Sequence, residues 1–488
     1  MKWIYRYVIS LLLVLYAYPQ AVQAAGDVRA SVVKVYTVSV VQDYDEPWKS
    51  MYQESSQGSG CVLEGNRILT AAHLVADPVY IQVRKAGEAR KYEARVKVAA
   101  HECDLALLEV EDEAFFADTR PMRLGELADL GDEVTAYGFP KGGDKLCTTQ
   151  GVVSRVEHTH YAQGGSDLLA CQIDAAINPG SSGGPVVQEG ALVGVAFEGA
   201  DGDNIGYMIP PPVIQHFLQG LKDGEHKGIP SLGVSTQPME SPAMRKAFGM
   251  KDGTTGVFVN RVPWGSPAQG LIEPGDVILS VAGVDVENDG SIEFRKGERT
   301  RFEYLVQQRF VGDTLGVEVL RKGEILAVDV PLTKGLNFER LVPFQRFDVT
   351  PTYYIFGGLV FEPLTENYLM TWGDKPYQNA PSKLRDDFLN GLKSKDSKEV
   401  VLLIKVLAHK INVGYHDLKN RVVSRVNGVQ ISCMKDLVRA FEGHEGEYHE
   451  VIDEKGYRIV LDAKEVQAGR EALMETFGIG SCISRDLD

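Results

Sequence analysis

Between Asp174 and Pro185 the chain reads Asp174-Ala175-Ala176-Ile177-Asn178-Pro179-Gly180-Ser181-Ser182-Gly183-Gly184-Pro185, where prolines and glycines rule out a helix and interrupt any strand ladder. What remains is a turn. Glycines without a Cβ let it take positive φ and let a substrate carbonyl approach the main chain. One serine is then displayed as a nucleophile with backbone amides converging beside it. On this reading the N–H groups of Gly180 and Ser182 form an oxyanion hole for the charge that develops when Ser182 attacks a carbonyl, an effect of roughly 3 kcal/mol per donor. A Gly/Ser string alone is equally an ordinary loop, so the reading depends on a base and an orienting acid elsewhere in the chain.

Both stand upstream. Thr70-Ala71-Ala72-His73 follows the apolar run Arg67-Ile68-Leu69, which places His73 where a buried strand ends and opens into a cleft. Asp104 opens Asp104-Leu105-Ala106-Leu107-Leu108, an acid at the head of an otherwise apolar strand. The chemistry then assigns the parts: Ser182 attacks, His73 removes and returns the proton, and Asp104 fixes the tautomer and stabilises the imidazolium.

The motifs Gly58-Ser59-Gly60-Cys61-Val62, Thr70-Ala71-Ala72-His73, Asp104-Leu105-Ala106-Leu107-Leu108, the serine segment and Asn204-Ile205-Gly206-Tyr207-Met208-Ile209-Pro210 resemble those of the HtrA/Deg serine proteases. The order His73, Asp104, Ser182 is the chymotrypsin order. Tyr137-Gly138-Phe139-Pro140-Lys141-Gly142-Gly143-Asp144, Gly151-Val152-Val153-Ser154-Arg155, the stretch from Thr352 to Phe361 and the ending Cys482 to Asp488 are similar to the plant organellar and nuclear branch of that family. Two positions depart from it: Ser181 stands where the family usually has Asn, and the N-terminus does not look like an organelle transit peptide. The resemblance implies a mainly β chain, with a chymotrypsin-like double β-barrel followed by two PDZ domains, the second divergent. It also implies an ATP-independent endopeptidase that degrades unfolded or damaged proteins and is built from homotrimers or multiples of trimers. The alternatives are a chaperone or holdase with little turnover and a regulatory protease that cuts one signalling partner. It further places the primary specificity pocket at Ala176, six residues before the nucleophile, with walls from Val195, Ala196, Phe197 and Gly206. A pocket with no carboxylate at its base rejects Arg and Lys and takes compact apolar side chains. The hairpin loop from Glu157 to Asp167 is expected to relay peptide binding at the first PDZ domain to the active site.

The domain boundaries follow the texture of the chain. Lys2 and Arg6 precede an apolar run that ends near Tyr18, and Val22-Gln23-Ala24 suits signal peptidase, so residues 1–24 read as a secretory signal cleaved after Ala24. The run is short for a span of about 20 residues, so no stable membrane anchor is expected. The chain is accordingly read as exported, and as periplasmic if its source is a Gram-negative bacterium. Residues 25–220 form the protease domain, 231–335 the first PDZ domain, 336–470 the second and 471–488 a tail. In the first, Ser231-Leu232-Gly233-Val234 is expected to leave amides free at Leu232, Gly233 and Val234 for a peptide carboxylate, while the next strand accepts the peptide by strand addition. Gly357-Gly358-Leu359-Val360-Phe361 reads as a second such loop, crowded by aromatics.

Composition sets the exclusions. A formal net charge of −16, with scattered Lys and Arg, argues against nucleic-acid partners. Six cysteines are too few for a disulfide scaffold, although Cys147 and Cys171 flank a candidate hairpin and are possible bridge partners. His101-Glu102-Cys103 begins like a zinc-protease helix but has Leu105 where the second histidine belongs, and His158 and His160 read as solvated loop residues. No metal and no cofactor is expected.

Overall fold

A computed structural model describes residues 28–488 apart from 142, 200–204, 222, 223 and 225; the proposed signal segment, with its cleavage after Ala24, lies outside the described residues. Among the described residues no helix is long and apolar enough to cross a membrane. The chain divides into two compact units: residues up to Ser39 with Glu54–Gly228, and Val40–Gln53 with Ile229–Asp488.

The first unit holds two closed barrels. One is built from β1 (Val32–Gln42), β2 (Ser50–Leu63), β3 (Arg67–Thr70), β4 (Pro78–Lys85), β5 (Tyr92–Ala100) and β6 (Leu105–Glu109), wound in the order 1-2-3-6-5-4 and closed by pairing of β1 with β4. The other comprises β7 (Glu133–Gly138), β8 (Cys147–Tyr161), β9 (Ser166–Ile173), β10 (Pro185–Gln188), β11 (Ala191–Gly199) and β12 (Gly206–Ile209), which repeat the same winding. Closure leaves no bare sheet edge. Val33, Val35, Val62, Ile68, Val83, Leu108 and Phe115 fill the first barrel, so strands exit into the cleft from a packed, unyielding core.

The second unit contains two sheets of matching order. The first runs β13 (Ser235–Pro238), β14 (Val257–Arg261), β15 (Val277–Val281), β19 (Thr314–Arg321), β20 (Glu324–Pro331), with β16 (Val284–Asp285) beside β15 and a separate hairpin of β17 (Ser291–Arg295) and β18 (Glu298–Arg301). Alternation sets its faces: Leu315, Val317 and Val319 of β19 are buried, while Gly316 and Glu318 between them are exposed. The second runs β22 (Leu359–Pro363), β23 (Val401–Val406), β24 (Arg421–Val426), β26 (Tyr448–Asp453), β27 (Arg458–Asp462), with β25 (Val429–Gln430) beside β24. It carries one strand that the first lacks, β21 (Tyr354–Phe356), on the outer edge of β22.

Three details differ from the sequence reading. The segment Glu157 to Asp167 is mostly strand, and only residues 162–165 turn, because β8 and β9 pair continuously from Val156–Cys171 to Tyr161–Ser166. His160 therefore sits on a strand, with its Nδ1 3.0 Å from Asp167 Oδ1, rather than in a loop, and His158 pairs with Leu169. Cys171 lies opposite Val156, whereas Cys147 lies opposite Gly138 at the far end of β8; neither is in a disulfide, and Cys171 is buried while Cys147 is exposed. Beyond 470, the helix Ala463–Phe477 runs on past the expected boundary, and the last residues return to the second sheet: Ile355 N–H donates to Cys482 O at 2.7 Å and Ser484 N–H to Tyr353 O at 3.0 Å.

One buried acid strains the second sheet. Glu362 on β22 is 1% exposed and its Oε1 has no hydrogen-bond partner among the described residues. Burial, with smaller contributions from Asp45 and Asp43, pushes its carboxyl well above the ordinary range. The folded protein therefore releases this proton at a higher pH than the unfolded chain does, so this group subtracts stability as pH rises from the unfolded value towards the folded one. Glu362→Gln is expected to raise the unfolding midpoint of the second unit at pH 7 and to flatten its decline between pH 5 and 7, measured by thermal unfolding across that range.

Candidate active site

His73 begins a single helical turn, His73–Val75, at the exit of β3, and Asp104 ends another, His101–Cys103, at the entrance to β6. Because β3 and β6 are paired, Thr70 opposite Ala106, the two exits emerge side by side. Asp104 is fully buried and uses both carboxylate oxygens on one residue: Oδ1 accepts the His73 backbone N–H at 2.8 Å and Oδ2 lies 2.7 Å from His73 Nδ1. An ionised carboxylate only accepts, so the proton is fixed on Nδ1 and Nε2 is left with its lone pair. The Asp104 carbonyl also accepts Ala72 N–H at 3.1 Å. Asp104 itself is left-handed, with φ 53°, a strained conformation for a residue with a Cβ.

Ser182 comes from the second barrel, on the turn that leads into β10. Its carbonyl accepts Ser59 N–H at 3.0 Å. Gly180 has φ 94°, and a Cβ there would stand 2.6 Å from Phe139 O. Gly183 has φ 80°, and a Cβ there would stand 2.3 Å from Ser59 O. Both positions therefore demand glycine for conformation and for space. Lys141 N–H donates to Pro179 O at 2.7 Å. In a planar trans peptide the carbonyl and the next N–H point opposite ways, so this bond turns the Gly180 N–H away from Lys141. Among the described residues neither Gly180 N–H nor Ser182 N–H donates to another protein group.

Two residues that the sequence reading did not single out hold this turn. Ser59, fully buried, donates from its hydroxyl to Gly180 O at 2.8 Å and accepts from Phe139 N–H at 2.8 Å, stitching β2 of the first barrel to both loops of the second. Lys34, 2% exposed, donates to Gly143 O at 2.9 Å and to Asp144 Oδ1 at 3.0 Å, which anchors the loop that carries Lys141. The Lys34 hydrogen bond and charge, with Arg84, hold the Asp144 carboxyl below its ordinary range. Nothing local in Val32-Val33-Lys34-Val35 marks that lysine as buried.

At the expected pocket, Ala176 is half-buried and Val195, Ala196 and Phe197 are buried. Phe197 stacks on Tyr161 with ring centroids 4.5 Å apart. Gly206 is so close to Ile177 that a Cβ on it would stand 2.4 Å from Ile177 Cγ1, which puts Ile177, not singled out in the sequence, beside the expected pocket wall. The Glu198 side chain lies outside the described residues.

In the first sheet of the second unit Leu232 is in the core, and Gly233, at φ 70°, packs on Ser266 and Pro267. Gly233 N–H is not free, since it donates to Ser231 Oγ at 3.1 Å, which leaves Leu232 and Val234 as the amides of that loop with no donation to another protein group among the described residues. β13, which follows, pairs among the described residues only with β14, which leaves its other edge open there. In the second sheet the expected carboxylate loop is something else. Gly357 (φ 57°) and Gly358 (φ 84°) form a two-residue turn that pairs Phe356 with Leu359, and the edge of β22 corresponding to the open edge of β13 is covered by β21. Phe356 stacks on Phe441 of the helix Met434–Glu442 at 4.2 Å.

Comparison with known proteins agrees with this architecture. The descriptions "Trypsin-like peptidase domain" and "PDZ domain" match residues 58–195, and 230–332 and 342–486, respectively. The chain is 39% identical over 94% of its length, and 80% of the relative's, to putative protease Do-like 3, mitochondrial, of Arabidopsis thaliana. It belongs to the HtrA/Deg family of serine proteases. Protease Do-like 4, mitochondrial, of the same plant is 41% identical over 84% of the chain and 76% of its own length. Among solved structures, the HtrA-type protease AlgW with tripeptide matches at 26% identity and a TM-score of 0.50, covering 64% of this chain and 96% of its own. A member of this family built as described is a serine endopeptidase.

Two outcomes are expected. Lys34→Met should release the loop that carries Lys141 and lower kcat about tenfold or more by disordering one oxyanion donor, with KM little changed, in steady-state assays of a peptide substrate. Calorimetric titration with a peptide ending in an apolar residue should give one site per chain, and Gly233→Val should abolish it; two sites would show that the second sheet also accepts a strand.

Proposed function

We propose that Ser182 is the nucleophile, His73 the general base and acid, Asp104 the orienting acid, and the N–H groups of Gly180 and Ser182 the oxyanion hole. The observation that carries this is the pairing of a buried Asp104 with both the ring and the backbone of His73, opposite a turn whose Pro179 carbonyl is held back by Lys141. Attack by Ser182 would pass its proton to His73 Nε2, the imidazolium would gain from Asp104, and the developing oxyanion would meet amides already aimed at it.

The substrates we propose are unfolded or damaged proteins, cut after compact aliphatic residues and without ATP. Ala176 and Ile177 supply apolar groups at the pocket and no carboxylate, so a Lys or Arg entering there would lose water without gaining an ionic partner, a cost of several kcal/mol. Val, Ala, Ile and Leu gain about 0.8 kcal/mol per buried methylene, and they are hidden in folded proteins but exposed in damaged ones. The first PDZ domain, with its open β13 edge, would take the peptide ends that regulate cleavage, and the second would serve as a structural clamp. Export under a signal of residues 1–24 and assembly as homotrimers belong to the same proposal. The Arabidopsis relatives cited above carry mitochondrial names, so cell fractionation with N-terminal sequencing of the mature protein decides the compartment.

Ser182→Ala should abolish hydrolysis while leaving the unfolding midpoint and peptide binding intact, whereas Ser181→Ala should retain much of the activity. Mass-spectrometric mapping of cut sites in an unfolded protein should return Val, Ala, Ile and Leu before the scissile bond. A predominance of Arg or Lys there would sink the pocket assignment.

A further inference from the structure

The helical turn His101–Cys103 lies immediately before Asp104 and is gripped from two sides by groups that no step of the mechanism uses. On one side, His226 Nε2 lies 2.6 Å from Glu102 Oε1. The His226 side chain is 7% exposed and its Nδ1 is buried with no hydrogen-bond partner among the described residues. Its ring meets Phe217 edge-on at 5.6 Å. Two residues on, a Cβ at Gly228 would stand 3.6 Å from the same Glu102 oxygen. Burial raises the Glu102 carboxyl, but the His226 hydrogen bond and charge, with a smaller contribution from His101, more than offset this and hold it below its ordinary range. On the other side, the tip of the β8–β9 hairpin presses on the turn: a Cβ at Gly164 would stand 2.4 Å from His101 O and 2.8 Å from Glu102 O.

The turn requires such a grip. Asp104 has φ 53°, and its N–H donates to His101 O at 3.2 Å, the same carbonyl that Gly164 abuts. A strained, left-handed residue persists only where its surroundings over-determine it. The hydrogen bonds of Asp104 to His73 and Ala72 hold its cleft side, and the pairing of Ala100 with Leu105 closes the hairpin behind it; the turn between them is the part that Glu102 and Gly164 contact.

We infer that Glu102 and His226, with Gly164 opposite, are positioning residues that clamp the turn His101–Cys103 and thereby hold the Asp104 carboxylate on His73. His226 lies three residues before Ile229, where the second compact unit resumes, so the clamp is fastened by the very segment that leads out of the protease unit.

The test uses the full chain and variants His226→Ala, His226→Gln and Gly164→Ala. A serine-directed phosphonate counts competent sites, and a fluorogenic peptide cut by the wild type gives kcat and KM per titrated site from pH 5 to 9. His226→Ala should lower kcat about ten- to hundredfold with KM unchanged, the scale of a small misplacement of a catalytic group. The acidic limb of kcat/KM should move to lower pH, because a displaced carboxylate stabilises the His73 imidazolium less. His226→Gln, whose amide N–H can reach Glu102, should recover most of the rate. Gly164→Ala should reproduce the loss and the limb shift from the opposite side, and it keeps the test open if His226→Ala does not fold. An unmoved limb, a loss fully accounted for by fewer titratable sites, or a Gln variant no better than Ala would overturn the inference.

Discussion

A carboxylate shut away from water must find donors, and Asp104 finds its side-chain donors on one residue, the backbone and ring of His73. Leaving such a group unpaired would cost several kcal/mol, so the register of β3 against β6 and the left-handed turn before β6 both answer to it. Everything else in the site is arranged around that fixed pair. Ser59 and Lys34 fasten the nucleophile turn from the first barrel, and the shape of that turn in turn decides which amides face the cleft.

Much of this was legible because the residues that make a local conformation obligatory are themselves the motif. The glycines at 180 and 183 and the strand-ending positions of His73 and Asp104 announce geometry directly. Ser59 and Lys34 did not, since their partners lie 80 or more positions away along the chain and a buried hydroxyl or ammonium has no local signature. Glu102 is a sharper case: in the sequence it was only part of a failed zinc motif, and its partner His226 stands 124 residues on.

The misreading at Gly357-Gly358 has a different cause. Two consecutive glycines serve equally a free-amide loop and a tight hairpin turn, and the choice between them is made by what precedes. Tyr353-Tyr354-Ile355-Phe356 is aromatic and β-branched, a strand signal directly before a two-residue turn, and the hairpin follows from it. The cysteines show the converse limit. Residues 147 and 171 do flank a hairpin, but register places one opposite Gly138 and the other opposite Val156, so neighbouring strands do not make neighbouring thiols.

The covering of β22 has a consequence for life among sticky chains. Under the proposed function the enzyme would work where extended apolar segments are abundant, and every bare strand edge would be a seed for coaggregation. In the second sheet that edge is capped by β21, and β21 is in turn paired by the chain's last residues, Cys482 to Ser484. The first sheet keeps β13 open but short, four residues ending at Pro238, which has no N–H to offer. At the position where β13 stays open, the second sheet thus offers no edge to an added strand among the described residues, while the far strands β20 and β27 each pair on one side only.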